Sequence, residues 1–200
     1  MDEPVEEKVV VTPATPARWP DVVRLFGDRG DPARCWCQWF FAGADASGRA
    51  AERNRAALCA QVEKGPAPGV LAHLDGEPVG WAAVAPRPGY TRLARSQVLR
   101  GTSGVEMADA GVWAVTCFVV RVGFRRRGLA SALLAGAVEH AAAGGARVVE
   151  GYPVDVATKA RVSSAELFHG VLSTFLAAGF REVARHTPTR PVVRLEPAGR

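Results

Sequence analysis

The sequence predicts an α/β fold, a mixed central sheet of about seven strands flanked by about four helices. Three observations carry this reading. Short β-branched runs alternate with segments of helical apolar period along most of the chain. The longest β-rich run, Val112 to Arg121, turns directly into an alanine-rich helical segment with another β-rich run beyond it, which is the pattern of a βαβ unit. Asp75-Gly76 separates two apolar runs and reads as a hairpin turn.

Each element follows in order. Lys8-Val9-Val10-Val11-Thr12 is a first strand, and Pro13 to Pro16 breaks it. A helix starting at Thr15 or Pro16 carries Trp19, Val22, Val23, Leu25 and Phe26 at helical spacing. Gly27 to Pro32 reads as a turn, and Cys35 to Phe41 as a dense aromatic cluster. Ser47 is the expected N-cap of a second helix over Gly48 to Glu63. The hairpin pairs Gly69–Leu74 with Val79–Val84, and a polar insertion runs from Pro86 to Ala110. The central strand, a helix from Arg127 to Ala143 ended by Gly144-Gly145, and a strand from Arg147 to Pro153 complete the βαβ unit. A last helix is expected from Ser164 to Ala178, then an antiparallel pair, Phe180–His186 and Pro191–Leu195. No internal repeat is evident.

Composition narrows the function. The chain has 200 residues, 48% hydrophobic and 22% charged, with no apolar run long enough to span a bilayer. The leader, residues 1–8, is acidic and unlike a secretory or transit signal, so a cytoplasmic enzyme with no membrane partner is expected. A net charge of +5 raises nucleic-acid binding, but the charges are interspersed rather than blocked, which argues against it. Cys35, Cys37, Cys59 and Cys117 lack the spacing of a zinc site, so small buried or half-buried thiols and no metal are expected.

The most informative stretch is Val119-Val120-Arg121-Val122-Gly123-Phe124-Arg125-Arg126-Arg127-Gly128-Leu129-Ala130. A strand ends in a basic, glycine-punctuated turn and a helix follows at once. Unpaired amides and the dipole at that helix start make a seat for a pyrophosphate, beside Arg121, Arg125, Arg126 and Arg127. No dinucleotide fingerprint or P-loop string is present. The pattern Arg-x-x-Gly-x-Ala resembles the acyl-coenzyme A loop of the GCN5-related N-acetyltransferases (GNAT superfamily). The preceding strand Ala114–Val120, the helix start Leu129–Leu134 and the late junction Phe175–Phe180 extend the likeness, and the element order is similar from first strand to last.

The resemblance implies one acyl-coenzyme A N-acyltransferase domain over residues 9–197, moving an acetyl group from acetyl-coenzyme A directly to the primary amine of a small molecule or peptide. It implies a cofactor set of Phe118, Val119, Val120, Arg125, Arg126, Arg127, Gly128, Leu129, Ala130 and Ser131. In that set the amides of Arg126 to Ala130 hold pyrophosphate, Val120 pairs with the pantetheine arm, and an amide near Phe118 to Val120 polarises the thioester. Splaying between the strands ending at Val120 and Tyr152 opens the slot. The sequence departs from the familiar pattern twice. Thr116 and Cys117 stand where many relatives carry a Glu, leaving Glu106, Asp109 and Asp155 as candidate bases. Phe175 stands where a Tyr often serves as acid, leaving Ser173, His169 and Tyr152 as substitutes, although the thiolate's modest basicity makes an acid dispensable. Trp36, Trp39, Phe40, Phe41 and Tyr152 fall where an acceptor would bind; an aromatic wall suits an apolar or cationic acceptor, with core packing the alternative use. Two rivals stay open, a non-catalytic acyl-coenzyme A sensor and a basic nucleic-acid-binding domain, and the acceptor and oligomeric state, a homodimer included, are not fixed.

Overall fold

The computed structural model describes residues 8–27, 29–41, 50–99, 107–158, 163 and 166–197. The expected N-cap Ser47 and the candidate base Glu106 lie outside them. Seven strands form one mixed sheet, β1 (Val9–Pro13), β2 (Gly69–Leu74), β3 (Glu77–Pro86), β4 (Val112–Val120), β5 (Val148–Gly151), β6 (Arg181–Thr187) and β7 (Arg190–Leu195). Their spatial order is β1-β2-β3-β4-β5-β7-β6, with β4 and β5 parallel and β6 and β7 antiparallel, as expected. The helices are α1 (Trp19–Phe26), α2 (Gly30–Cys35), α3 (Ala50–Lys64), α4 (Leu129–Ala143) and α5 (Leu172–Ala177).

Period-two alternation divides the core between the two faces of the sheet. Val70, Ala72, Ala82 and Val84 pack with Leu129, Leu133, Leu134 and Ala137 of α4. Leu71, Trp81 and Ala83 face the other way, onto Val22, Leu25 and Phe26 of α1 and Leu58 of α3. A third cluster, Phe40, Tyr90, Leu93, Leu99, Ala114 and Tyr152, lies at the β4–β5 end of that side. No described helix is long and apolar enough to cross a membrane.

Three expectations need correction. Gly27 to Pro32 is not simply a turn, because α2 begins at Gly30 and adds a helix to the expected set. The insertion after β3 is not a bare loop in its described part: 3₁₀ turns at Arg87–Gly89, Leu93–Arg95 and Gln97–Leu99 are anchored by buried Arg87, Tyr90, Leu93 and Leu99. The helix expected from Ser164 to Ala178 is confined to α5, after a 3₁₀ turn at Leu167–His169. Long-range pairing overrides local propensity there: the Val154 amide donates to the Gly170 carbonyl at 2.9 Å, and the Leu172 amide to the Val154 carbonyl at 2.9 Å. Gly170, at φ +77°, makes the bend that this bridge requires.

Candidate active site

The register of the sheet opens a slot in its centre. β4 and β5 pair from Val112↔Val148 to Val115↔Gly151 and no further, so Thr116 to Val120 have no β5 partner. A bulge sits in the same place. Ala83 pairs with Cys117 but Val84 with Val115, so Thr116 is the extra residue and the alternation of β4 shifts there. Beyond the bulge, Arg121 donates its amide to the Val79 carbonyl at 3.0 Å, so residues of that parity face β3. The main-chain groups of Phe118 and Val120 therefore face the unpaired edge. The Arg125 Nε reaches the Val120 carbonyl at 3.4 Å, which agrees with that orientation.

The edge runs into the glycine turn. Gly128 caps α4 at φ 72° and ψ −1°, a left-handed conformation that favours glycine, and its carbonyl accepts from the amides of Ser131 at 3.0 Å and Ala132 at 3.1 Å. The amides of Arg126, Gly128, Leu129 and Ala130 donate to no described main-chain carbonyl outside the helix, and those of Leu129 and Ala130 lie in its first turn, where no intrahelical partner exists. Leu129 is buried and anchors the turn, while Arg125 to Gly128 are exposed. Arg121 is committed elsewhere: it pairs with Glu77 at 2.5 Å, tying the sheet edge rather than the turn.

A cavity of about 170 Å³ lies on the side of the slot away from the turn, lined by Trp39, Phe40, Leu93, Ser96, Val98, Tyr152, His169 and Arg190. His169 joins it to β4, its Nδ1 lying 3.2 Å from the Thr116 carbonyl oxygen. A carbonyl only accepts, so Nδ1 carries the proton and Nε2 keeps the lone pair. Burial, reinforced by the charge of Arg190, lowers the His169 pKa to about 3. The unfolded chain takes up this proton near pH 6.5 and the folded one near 3, so stability falls on acidification through that window. Going from pH 8 to pH 5 is expected to cost about 2 kcal/mol from this group, at roughly 1.4 kcal/mol per pH unit below 6.5. Urea titrations at several pH values check this, and the His169→Gln variant is expected to lose that component of the slope.

The model of the acetyltransferase (GNAT) family matches residues 32–162, more than half of the chain. The chain belongs to that family. No curated protein matches it. Similar solved structures include a GCN5-related N-acetyltransferase from Kribbella flavida, at 19% identity and TM-score 0.54, covering 94% of this chain and 97% of that one. The diaminobutyrate acetyltransferase EctA from Paenibacillus lautus, in complex with L-2,4-diaminobutyric acid and coenzyme A, has 15% identity and TM-score 0.50, with 96% of each chain covered. The PaiA N-acetyltransferase from Thermoplasma acidophilum, in complex with coenzyme A, has 10% identity and TM-score 0.52, covering 94% of this chain and 99% of that one.

This GNAT chain scatters the other residues singled out in its sequence. Asp109 is not at the slot. It sits before the start of β4, and the Gly111 amide and the Arg147 guanidinium hold its carboxyl below the usual range. Asp155 lies just past β5 but pairs with Arg185 at 2.8 Å, pinning that segment to the β6–β7 hairpin. Ser173 is exposed on α5, outside the cavity wall. Trp36 is core rather than acceptor wall: it is 4% exposed and stacks on Phe26 at 5.0 Å. Trp39 does line the cavity, but the Arg92 guanidinium already lies 3.7 Å from its ring centroid, so that seat for a cation is filled. The Tyr152 hydroxyl donates to Glu150 Oε1 at 2.5 Å, and burial beside that carboxylate raises its pKa, so its proton is engaged by Glu150 rather than offered to the slot.

Sequence reasoning missed the cluster to which Tyr152 belongs. Glu150, fully buried on β5, accepts from Arg87 at 3.2 Å and from Arg194 at 2.6 Å, as well as from Tyr152. The available signal was a carboxylate inside the β-branched run Val148-Val149-Glu150, since a buried charge is stable only when paired.

Proposed function

We propose that this chain transfers an acetyl group from acetyl-coenzyme A directly to a primary amine, acting in the cytoplasm. The observation that carries the reading is the continuous path from the unpaired edge of β4 into the turn before α4, where the amides of Arg126, Gly128, Leu129 and Ala130 have no described main-chain partner. The amides of Arg126, Gly128, Leu129 and Ala130 hold the pyrophosphate, with the basic side chains of Arg125 to Arg127 and Ser131 around it. Phe118, Val119 and Val120 bind the pantetheine arm along the free edge, as an added strand would be bound. The Phe118 amide lies where the thioester carbonyl gains charge during attack. Coenzyme A bound by two of the similar structures supports this assignment.

The amine enters from the cavity, between Trp39 and Tyr152. Among the described residues no carboxylate lines that wall, and the His169 Nε2 is its neutral acceptor of an N–H hydrogen bond. His169 orients the amine lone pair and, with so low a pKa, is not a reservoir for its proton. That absence of a lining carboxylate favours the second reading, a module that binds acyl-coenzyme A without turnover. Two measurements separate them: calorimetric titration with coenzyme A, and thiol release from acetyl-coenzyme A across a panel of primary amines. The first reading expects micromolar binding and amine-dependent release. Binding without release on any amine supports the second, and no binding at all removes both.

A further inference from the structure

Several arginines around this region are paired with carboxylates, Arg87 and Arg194 with Glu150, Arg185 with Asp155 and Glu182, and Arg147 with Asp109. Arg190 differs. It opens β7, lines the cavity and forms no salt bridge with a described residue. Its Nη2 donates to the Tyr152 carbonyl at 3.0 Å, while its Nε is shielded from water and has no partner. Glu166 is the acidic group whose field reaches it, and the Glu166 carboxylate accepts from the amide and hydroxyl of Ser163 at 3.1 Å each. Ser96 Oγ, on the same cavity, is also shielded and unpartnered. On the rim, Arg92 covers Trp39, and its Nη1 is likewise shielded without a partner.

Shielded donors without acceptors are costly, and two guanidinium groups beside one cavity give it a positive potential. A carboxylate offers two acceptor oxygens that match the fork of a guanidinium. The cavity, about 170 Å³, is smaller than the roughly 300–1,000 Å³ usual for drug-sized ligands, so its occupant is small. We infer that the acceptor is a small amine bearing a carboxylate, with Arg190 and Ser96 holding the carboxylate in this cavity. The inference rests on the acetyltransferase reading for the donor, but the anion seat is measurable without turnover.

The test compares matched pairs, 4-aminobutyrate with 4-aminobutanamide and phenylalanine with phenylalaninamide, in thiol release and in thermal-shift binding with coenzyme A present. The acids are expected to exceed their amides at least tenfold in kcat/KM and to raise Tm where the amides do not. Arg190→Gln is expected to abolish the preference, and Arg190→Lys, which keeps the charge without the fork, to retain part of it. Unchanged coenzyme A affinity by calorimetry establishes that the variants are folded; if Arg190→Gln fails this control, Ser96→Ala is expected to weaken the preference in its place. Acid-dependent stabilisation without turnover on any amine upholds the anion seat and sinks the acetyltransferase reading. Equal turnover of acids and amides, or a preference that survives Arg190→Gln, overturns the inference and leaves that reading standing. Absence of both turnover and acid-dependent stabilisation overturns it as well.

Discussion

Replacing Gly128 with Glu is expected to weaken coenzyme A binding by about 100-fold or more while leaving the chain folded. Two effects add. At φ 72° any side chain is strained, by roughly 1–2 kcal/mol for a non-glycine residue, and a free turn that relaxes out of this conformation must regain it to bind the pyrophosphate. The new carboxylate also stands beside the pyrophosphate seat, and two unit charges about 5 Å apart at an effective dielectric near 20 repel by about 3 kcal/mol. An ideal Cβ on Gly128 meets nothing within 4 Å, so the fold has room for the side chain and the loss falls on the ligand. Gly128→Ala separates the terms, since it keeps the strain without the charge and is expected to lose only about tenfold. Calorimetry on both variants checks this, and unchanged affinity in Gly128→Glu would sink the assignment of the turn.

The parts of the fold that the sequence disclosed are those with local signals. Asp75-Gly76 specifies its own hairpin, both residues lying at positive φ, and β4, the turn and α4 follow one another without a long-range decision. The Cys35–Phe41 segment carried no such signal. Trp36 and Cys37 both adopt positive φ, at 45° and 51°, which no local preference of either residue announces. Its two tryptophans also part company: Trp36 turns into the core against Phe26 while Trp39 turns to the cavity. The late helix failed for the opposite reason: the bridge from Val171 to Val154 holds the backbone extended there, so the helix starts only at Leu172.

The candidate site divides in the same way. The coenzyme half lies within fourteen consecutive residues, Phe118 to Ser131, so its pattern could be read directly from the order of residues. The acceptor half gathers Trp39 and Phe40, Leu93 to Val98, Tyr152, His169 and Arg190 from five separate stretches. An aromatic wall for an apolar or cationic acceptor was one expected use of this segment, yet the chain sets its own cation, Arg92, on Trp39, a contact across 53 positions that no spacing rule reaches. Proximity to β4 along the chain also misled. Asp109 is close in sequence to the strand but lies beyond its start, whereas the slot opens past Val115.

The largest expected effect on stability comes from Glu150→Ala, a loss of about 3–5 kcal/mol. Glu150 and Arg87 are both fully buried, and Arg194 and the Tyr152 hydroxyl converge on the same carboxylate. Removing it takes one buried carboxylate away from two guanidinium groups, and Arg87 has no exposed surface through which to regain water. The position magnifies the loss. β5 is four residues long and pairs with β4 on one side and β7 on the other, so Glu150 joins the β6–β7 hairpin to the rest of the sheet. Glu150→Gln keeps the shape and an acceptor oxygen but not the charge, and is expected to lose less. Urea denaturation with both variants checks the order, and a Glu150→Ala protein within 1 kcal/mol of the parent would mean that the arginines find another partner on that face. Since Arg190 bonds to the Tyr152 carbonyl, the same substitution is also expected to weaken acceptor binding before it touches coenzyme A affinity.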